Sequence, residues 1–478
     1  MKKQHLDKII SLCKRKGFVF PNSEIYGGLK ASYDYGPLGV ELKKSISELW
    51  WKEMTQSNQN IVGLDSAIMV HPDVWEASGH IANFNDPMTD NKDNKKRYRI
   101  DDLLSQQKTK VIDAVCADLN LDSSSDDIFN DIAHKLLIDG NKSDNVLEKA
   151  GVIDPFSGSV GKWTPAVQFN LMFKTDSGPS EKTGKNIYLR PETAQGMFIN
   201  YLLVQNTMRL KVPFGIAQIG KAFRNEIVAR NFIFRTREFE QMEMQYFVCP
   251  SDDVESLEMW KQKRLDFYLN QLKINPDNLK FHQHSQDALA HYAKDAYDIE
   301  YKFPFGWGEV EGIHNRTDFD LKQHENLSGK NMTYFDTKTQ EKYHPYIIET
   351  STGLNRLFLM VLCEAYFEDI DNNRVVLKLP YNLAPIKAVV CPLVKKDGLP
   401  EKAMSVFNKL NKEISCIYDE QGSIGKRYYR QDEAGTPFGI TLDHETLEDN
   451  SVTIRERDSM KQTRVSIDNI LSFIQDNK

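Results

Sequence analysis

The segment from Arg237 to Phe247, Arg-Glu-Phe-Glu-Gln-Met-Glu-Met-Gln-Tyr-Phe, changes character residue by residue. A period of two is the signature of a β-strand with two unlike faces. Phe239, Gln241, Glu243 and Gln245 fall on one face, and Glu240, Met242, Met244 and Tyr246 on the other. The run Ile216 to Phe223 ahead of it is also strand-like, so Val212 to Phe247 is expected to fold as an antiparallel hairpin around a polar turn. That hairpin carries Arg224, Arg230, Arg235 and Arg237 beside Glu226, Glu238, Glu240 and Glu243. One reading is a surface ladder of cross-strand ion pairs, each worth about 0.2–1 kcal/mol. The other is a face that holds a ligand. Gly220 and Ala222 are small and leave room on it, Phe239 offers a stacking surface, and Arg224 and Arg235 offer planar forks for phosphate or carboxylate oxygens.

Two further stretches favour the ligand. In Tyr-Ile-Ile-Glu-Thr-Ser-Thr-Gly-Leu-Asn-Arg-Leu, Glu349 and Ser351 share a strand face, Gly353 turns the chain, and Arg356 enters the first turn of an apolar helix. An arginine is electrostatically unhelpful at a helix N-terminus unless a polyanion lies between it and the free N–H groups. In Tyr-Leu-Arg-Pro-Glu-Thr-Ala-Gln-Gly, Glu192 follows a strand that ends at Arg190 and Pro191, a usual place for a binding residue.

The chain has 478 residues, too many for one core, so several units are expected. The net charge of −7 argues against non-specific nucleic-acid binding, and any such partner would need a local basic surface. The six cysteines form no CxxC pair, which argues against a zinc ribbon and a disulfide framework and fits a reducing cytoplasm. The charged N-terminus does not read as a signal peptide, and no apolar run reaches the ~18 residues of a membrane span. A soluble, cytoplasmic protein without a membrane partner is expected.

Residues 1–79 hold an amphipathic helix over 6–16, Gly/Pro-rich loops, and a helix over Val40–Met54. The adjacent Trp50 and Trp51 cannot share one narrow stripe, so either both sit in a wide intramolecular groove or one serves a subunit interface. Residues 80–160 are polar and acidic with scattered helical periodicity and read as a surface insertion. Residues 161–380 carry the core texture again, and 381–478 form a compact α/β unit. Gly178–Asn186 does not make a Walker loop: five residues separate its glycines and Asn186 stands where Ser or Thr should bind magnesium. His314, His324 and His344 are scattered and read as structural. Arg427–Glu433, Arg-Tyr-Tyr-Arg-Gln-Asp-Glu, reads either as an RNA contact or as a solvated loop.

Phe223-Arg-Asn-Glu226, a loop, and Arg235-Thr-Arg-Glu-Phe239 resemble motif 2 of the class II aminoacyl-tRNA synthetases, FRxE followed by RxxxF. Gly353-Leu-Asn-Arg356 resembles their motif 3, and Gly36-Pro-Leu-Gly39 before the long helix resembles motif 1, the dimer-interface element. Together with Arg-Pro-Glu-Thr-Ala-Gln-Gly and Gly306-Trp-Gly-Glu-Val-Glu-Gly-Ile-His-Asn-Arg-Thr-Asp-Phe-Asp-Leu321, these look like the homodimeric glycyl-tRNA synthetase family. The last strands resemble its anticodon-binding domain.

The resemblance implies an α/β (α+β) fold: a class II catalytic domain on an antiparallel sheet with flanking helices, then an anticodon-binding domain. It implies ATP, magnesium, glycine and tRNA(Gly) as partners of a homodimer, with no zinc. It places ATP on Arg224, Asn225, Glu226, Phe234, Arg235, Thr236, Arg237, Glu238, Phe239, Glu309, Val310, Gly353, Leu354, Asn355 and Arg356, with magnesium near Glu309. Arg224, Arg235 and Arg356 are the expected catalytic arginines. It places glycine among Arg99, Glu192, Phe239, Glu240, Gln241, Met242, Glu243, Glu349, Thr350, Ser351, Thr352 and Gly353. Thr350 and Thr352 depart from the Pro and Ala the family often has there. Two readings compete: an accessory protein that kept the fold and lost the chemistry, which should lack the ATP arginines, and a synthetase for threonine, proline or serine.

Overall fold

The computed structural model describes residues 2–125, 128–139, 143–177, 185–227, 231–285 and 293–478. Arg230 and most of the Gly178–Asn186 stretch lie outside the described residues.

The expected hairpin forms two inner strands of a seven-stranded sheet. Its strands, numbered along the chain, are β1 (Ile61–Gly63), β2 (Phe214–Phe223), β3 (Glu238–Val248), β4 (Leu279–Gln283), β5 (Asp295–Phe303), β6 (Gly306–Thr317) and β7 (Tyr346–Gly353). Their order is β4-β5-β6-β7-β3-β2-β1, antiparallel except for the parallel β1–β2 pair. The pattern of β3 sorts as its period predicts. Met242, Met244 and Tyr246 point into the main core, while Gln241 and Glu243 point to the opposite side.

Helix α1 (Lys2–Lys16), α2 (Pro37–Thr55), α4 (Asp253–Asp266) and α5 (Leu354–Ala365) cover the core side, and α3 (Ala194–Met208) packs against β2 and β3. Helix α2 buries Leu42, Ile46, Trp50 and Met54, one residue per turn. Gly39 in its first turn is obligatory, since a Cβ there would stand 1.9 Å from the Phe18 carbonyl oxygen. Trp50 is fully buried, and Trp51 lies on Gly63 of β1, so both indoles are used within the chain. Helix α5 is apolar nearly all round because the sheet and α2 enclose it.

Residues 85–170 form a satellite unit with a core of its own. A three-stranded sheet (85–90, 97–99, 167–170) and short helices enclose Leu103, Val115, Leu136, Leu147 and Trp163. The packing runs past residue 160, because Trp163 and Ala166 belong to this cluster. Polar composition on the outside masked an apolar interior.

The C-terminal sheet comprises β8 (Ala388–Pro392), β9 (Cys416–Tyr418), β10 (Phe438–Leu442), β11 (Ser451–Glu456) and β12 (Gln462–Ser466), in the order β9-β8-β10-β11-β12. Helix α6 (Ile424–Ala434) contains the Arg427–Glu433 stretch and packs on the 374–377 strand that precedes this domain. Arg427 and Tyr428 are buried, with Arg427 donating to the Gly422 and Pro392 carbonyls and the Tyr428 hydroxyl meeting Thr441. The stretch is therefore a packed helix between two units rather than a solvated loop. No helix among the described residues is long and apolar enough to cross a membrane.

Candidate active site

A cavity of about 250 Å³ opens on the face of the sheet away from α2 and α5. Cross-strand register builds its floor. Gln218 on β2, Glu243 on β3, Ser351 on β7 and Gly312 on β6 stand in one row, and Gln245, Glu349 and His314 stand in the next. The loop before α3 supplies Glu192, and the motif-like segment around β3 supplies Arg224, Phe234, Arg235, Thr236 and Phe239. Arg356 reaches in from the first turn of α5.

The cavity has two chemical ends. At one end are the guanidinium groups. Arg224 is fixed by a 3.0 Å hydrogen bond to the Pro191 carbonyl and lies over the rings of Phe84 and Phe239, 5.3 and 5.4 Å from their centroids. Arg356 lies 4.5 Å over the Phe234 ring and donates to the Phe234 and Glu309 carbonyls. Arginines set on aromatic faces are aimed into the cavity, and the hydrogen bonds to backbone carbonyls fix their direction.

At the other end Glu192, Glu243 and Glu349 converge. Glu349 is 3 % exposed and accepts from Gln245 at 2.8 Å, from Arg316 Nη1 at 3.1 and 3.2 Å, and meets His314 Nδ1 at 2.8 Å. Burial would raise its pKa, but Arg316 and then His314 outweigh that and hold it well below the usual carboxylate range. His314 is the mirror case. Burial would lower its pKa, yet contacts to Asp298 and Glu349 bring it up to about 9. Glu192 pairs with His80 at 3.3 Å and accepts from Gln195 at 3.0 Å; burial would raise its pKa, and His80 and Arg316 bring it down to about 2. Glu243 is different. Its polar partners are the Thr193 hydroxyl and the carboxylate of Glu349, and burial together with Glu349 and Glu192 raises its pKa well above the usual range.

Of the residues expected around ATP, Arg224, Glu226, Phe234, Arg235, Thr236, Phe239, Glu309, Gly353, Asn355 and Arg356 line this cavity. Five do not. Val310 and Leu354 belong to the main core, and Glu238 pairs with Lys221 on the surface. Arg237 donates to the Glu226 carbonyl, and Asn225 is held by its backbone N–H on Leu171.

Of those expected around glycine, Glu192, Phe239, Gln241, Glu243, Glu349, Ser351 and Gly353 line it. Alternation turns the others away. Met242 enters the core, Glu240 pairs with Lys43 of α2, Thr350 is buried, and Thr352 donates to the Val310 carbonyl at 2.7 Å. Arg99 is spent on Asp86 at 3.0 Å and Asp101 at 2.6 Å in the satellite unit. The room expected over Gly220 is taken from within: Arg190 Nη2 lies 2.2 Å from where a Gly220 Cβ would stand.

Sequence reading missed His314 and Arg316, which line the cavity and carry the charge that balances Glu349. Their only signal is parity with Gly312 on one strand, and that gains meaning once β6 is known to pair with β7. His324 and His344 serve structure, one against Gln195 at 2.8 Å and the other against Glu325 at 2.9 Å.

Residues 173–366 match the family model described as tRNA synthetase class II core domain (G, H, P, S and T), and residues 387–477 match that described as anticodon binding domain. The glycine–tRNA ligase of Treponema denticola is 50% identical over 477 residues, covering 98% of this chain and 96% of that protein. The chain belongs to the glycine–tRNA ligase family. That of Chlorobaculum tepidum is 49% identical over 98% of this chain and 99% of its own, and that of Borreliella burgdorferi 49% over 98% and 96%. Within this class II synthetase family residues 173–366, which carry β2 to β7, are the core domain, and residues 387–477, which carry the C-terminal sheet, are the anticodon-binding domain.

Proposed function

We propose that the chain is a glycine–tRNA ligase that condenses glycine with ATP to glycyl-adenylate and pyrophosphate, then transfers glycine to the 3′ end of tRNA(Gly). The observation that carries this reading is the two-ended cavity, with arginines on aromatic faces at one end and Glu192, Glu243 and Glu349 at the other. Glycine has only an ammonium and a carboxylate to recognise. Carboxylates packed at one end can take the ammonium while Gln241 and Ser351 narrow the space a side chain would need. Discrimination by one methyl group is worth only about 1–3 kcal/mol, so exclusion must be steric.

The reaction brings two anions together, since the glycine carboxylate attacks the α-phosphorus of ATP. Arg224 lies between the phosphate and carboxylate positions and neutralises both, Arg356 and Arg235 hold the remaining phosphates, and Phe239 receives the adenine. Groups fixed before the reaction stabilise developing charge without reorganising. Glu309 offers a hard oxygen ligand on the cavity wall, suited to a magnesium ion arriving with the phosphates. Such an ion supplies further charge neutralisation at the phosphates. The attacking carboxylate is already ionised, so this step needs no general base. The domain limits 1–79 and 381–478, with the insertion expected over 80–160 carried on to residue 170 and the core running from there to 380, a homodimer and a cytoplasmic location complete the reading.

Pyrophosphate exchange with each amino acid in turn tests it. Glycine should support exchange, with alanine, serine, threonine and proline far behind. Exchange absent with glycine, or equal with alanine and serine, would overturn it, the first outcome favouring an accessory protein and the second another substrate.

A further inference from the structure

The charges at the ammonium end of the cavity are unevenly shared. Glu349 takes both Arg316 and His314, and Glu192 faces His80 at 3.3 Å. Glu243 stands between these carboxylates, 2 % exposed, with the Thr193 hydroxyl as its donor and, among the described residues, no ion pair to a basic side chain. Its surroundings make this arrangement definite on every side. Across β3–β2 it faces neutral Gln218, and across β3–β7 neutral Ser351. Arg190, beyond Gly220, acts on Glu243 only through its field from the β2 side, since its hydrogen bonds go to Ser66 and to the Ala67 and Lys221 carbonyls. On the β6 side Arg316 is shared between Asp320 and Glu349, and His314 between Asp298 and Glu349.

Three carboxylates gathered in one buried cavity do not all remain ionised; like charges sharing a site force one to hold a proton. The geometry selects Glu243, the one with no basic side chain paired to it among the described residues. Resting on the function proposed above, we propose that Glu243 holds a proton while no amine is bound and releases it to solvent when the ligand ammonium takes that place. The O–H bond of Glu243 breaks, the proton leaves to water, and the ammonium hydrogen-bonds to the carboxylate so formed. One cation replaces another, and each bound glycine displaces one proton. The site thereby avoids the cost of an unpaired buried charge in either condition.

Two properties follow. Protons and glycine compete, so the KM for glycine in pyrophosphate exchange climbs as pH falls, toward tenfold per pH unit, while kcat at saturating glycine stays level. A ligand with a hydroxyl in place of the ammonium displaces no proton. Glycolate is that probe, and its inhibition constant should not climb on the acid side.

The experiment measures KM for glycine, kcat and the glycolate inhibition constant from about pH 8 to about pH 5 on the full chain with MgATP. Glu243→Gln should raise KM at neutral pH and remove the acid limb. His314→Gln takes a positive charge from the neighbouring Glu349 and should move the limb to higher pH, which keeps the inference testable if the first variant does not fold. A flat KM profile in the wild type, an acid limb retained in Glu243→Gln, or a glycolate constant that climbs in parallel with glycine each overturns the proton exchange. Exchange with a flat profile defeats this inference alone, whereas no exchange with glycine at any pH defeats the functional reading beneath it.

Discussion

Arg356 Nη1 lies 3.0 Å from the Glu309 carboxylate at the exposed side of the cavity and also donates, at 3.0 Å, to the Glu309 carbonyl. The same arginine is the one the functional reading assigns to the ATP phosphates, so an incoming polyanion must take it from Glu309. Arg356→Ala should lower kcat/KM for ATP in exchange by roughly 10²–10³, the usual effect of losing one preorganised donor to developing charge. Thermal melting should barely move, because a half-exposed pair contributes only about 0–1 kcal/mol. A large drop in melting temperature with the residual rate intact would mean that the residue is structural.

Behind the sheet the balance is reversed. Arg264 of α4 donates to Glu311 of β6 at 2.6 and 3.2 Å, and the Tyr268 hydroxyl donates to the same carboxylate at 2.8 Å, all fully buried. Arg264→Ala strands Glu311 in the core and should cost about 3–5 kcal/mol in chemical denaturation. Arg264→Met combined with Glu311→Leu, which removes both charges while keeping volume, should recover most of that loss.

These two glutamates are neighbours on one strand, and the sequence Gly-Trp-Gly-Glu-Val-Glu-Gly shows why part of the site was legible and part was not. Parity separates residues on a strand into faces, so Phe239, Gln241 and Glu243 could be assigned together and Met242 and Met244 apart from them. Parity does not say which residue of a neighbouring strand comes alongside. That depends on register, and β6 shifts register against β5 at Ile299–Glu300 and against β7 at Asn315–Thr317. His314 therefore reaches Glu349 by a cross-strand alignment that no single-strand pattern carries. Motif matching works without parity. It swept in contiguous neighbours such as Met242, Val310 and Leu354, whose side chains the strand and helix geometry sends into the core. The satellite unit hid its core because apolar residues on short helices are diluted by a polar outer surface.

His314 gives a pH dependence of stability. Its folded-state pKa of about 9 exceeds the ordinary value of 6.5, so its contribution is fully present below pH ~6.5 and is lost as pH rises through about 9. The contribution is on the order of 3 kcal/mol. Denaturant midpoints for the wild type should fall between pH ~7 and ~9, and His314→Gln should start lower and flatten that slope. A slope unchanged in the variant would assign the effect to another group.

The anticodon-binding domain is held to the catalytic core through Asp432 of α6. It accepts from Arg374 at 2.7 Å and from Arg455 at 2.9 and 3.0 Å, and is 1 % exposed. Arg374 precedes the domain and Arg455 lies within it, so the carboxylate ties one unit to the other. Asp432→Ala leaves two buried arginines facing each other and should destabilise this junction by about 3–5 kcal/mol. Pyrophosphate exchange, which uses the catalytic cavity alone, should persist below the melting temperature. Charging of tRNA, which engages both units, should fall further than exchange. Equal loss in both assays would show that the junction also supports the catalytic core.

Gly220 tests the packing beneath the cavity. Its missing side chain admits the guanidinium of Arg190, whose Nη2 would stand 2.2 Å from a Cβ there, with Gln218 Nε2 at 3.2 Å. Arg190 is 3 % exposed and anchored by hydrogen bonds to the Lys221 carbonyl at 2.6 Å and the Ser66 carbonyl at 2.8 Å, so it cannot swing aside without abandoning buried acceptors. Gly220→Ala should therefore cost about 1–3 kcal/mol as an overpacked position, despite the gain in strand propensity. It should also raise KM for glycine, because Gly220 pairs with Gln241 and its neighbour Gln218 pairs with Glu243. Gly220→Ala combined with Arg190→Lys, whose slimmer ammonium clears the added methyl, should restore part of the stability. Wild-type stability in Gly220→Ala alone would show that Arg190 has a second resting place, and that the close approach over Gly220 is not what fixes it.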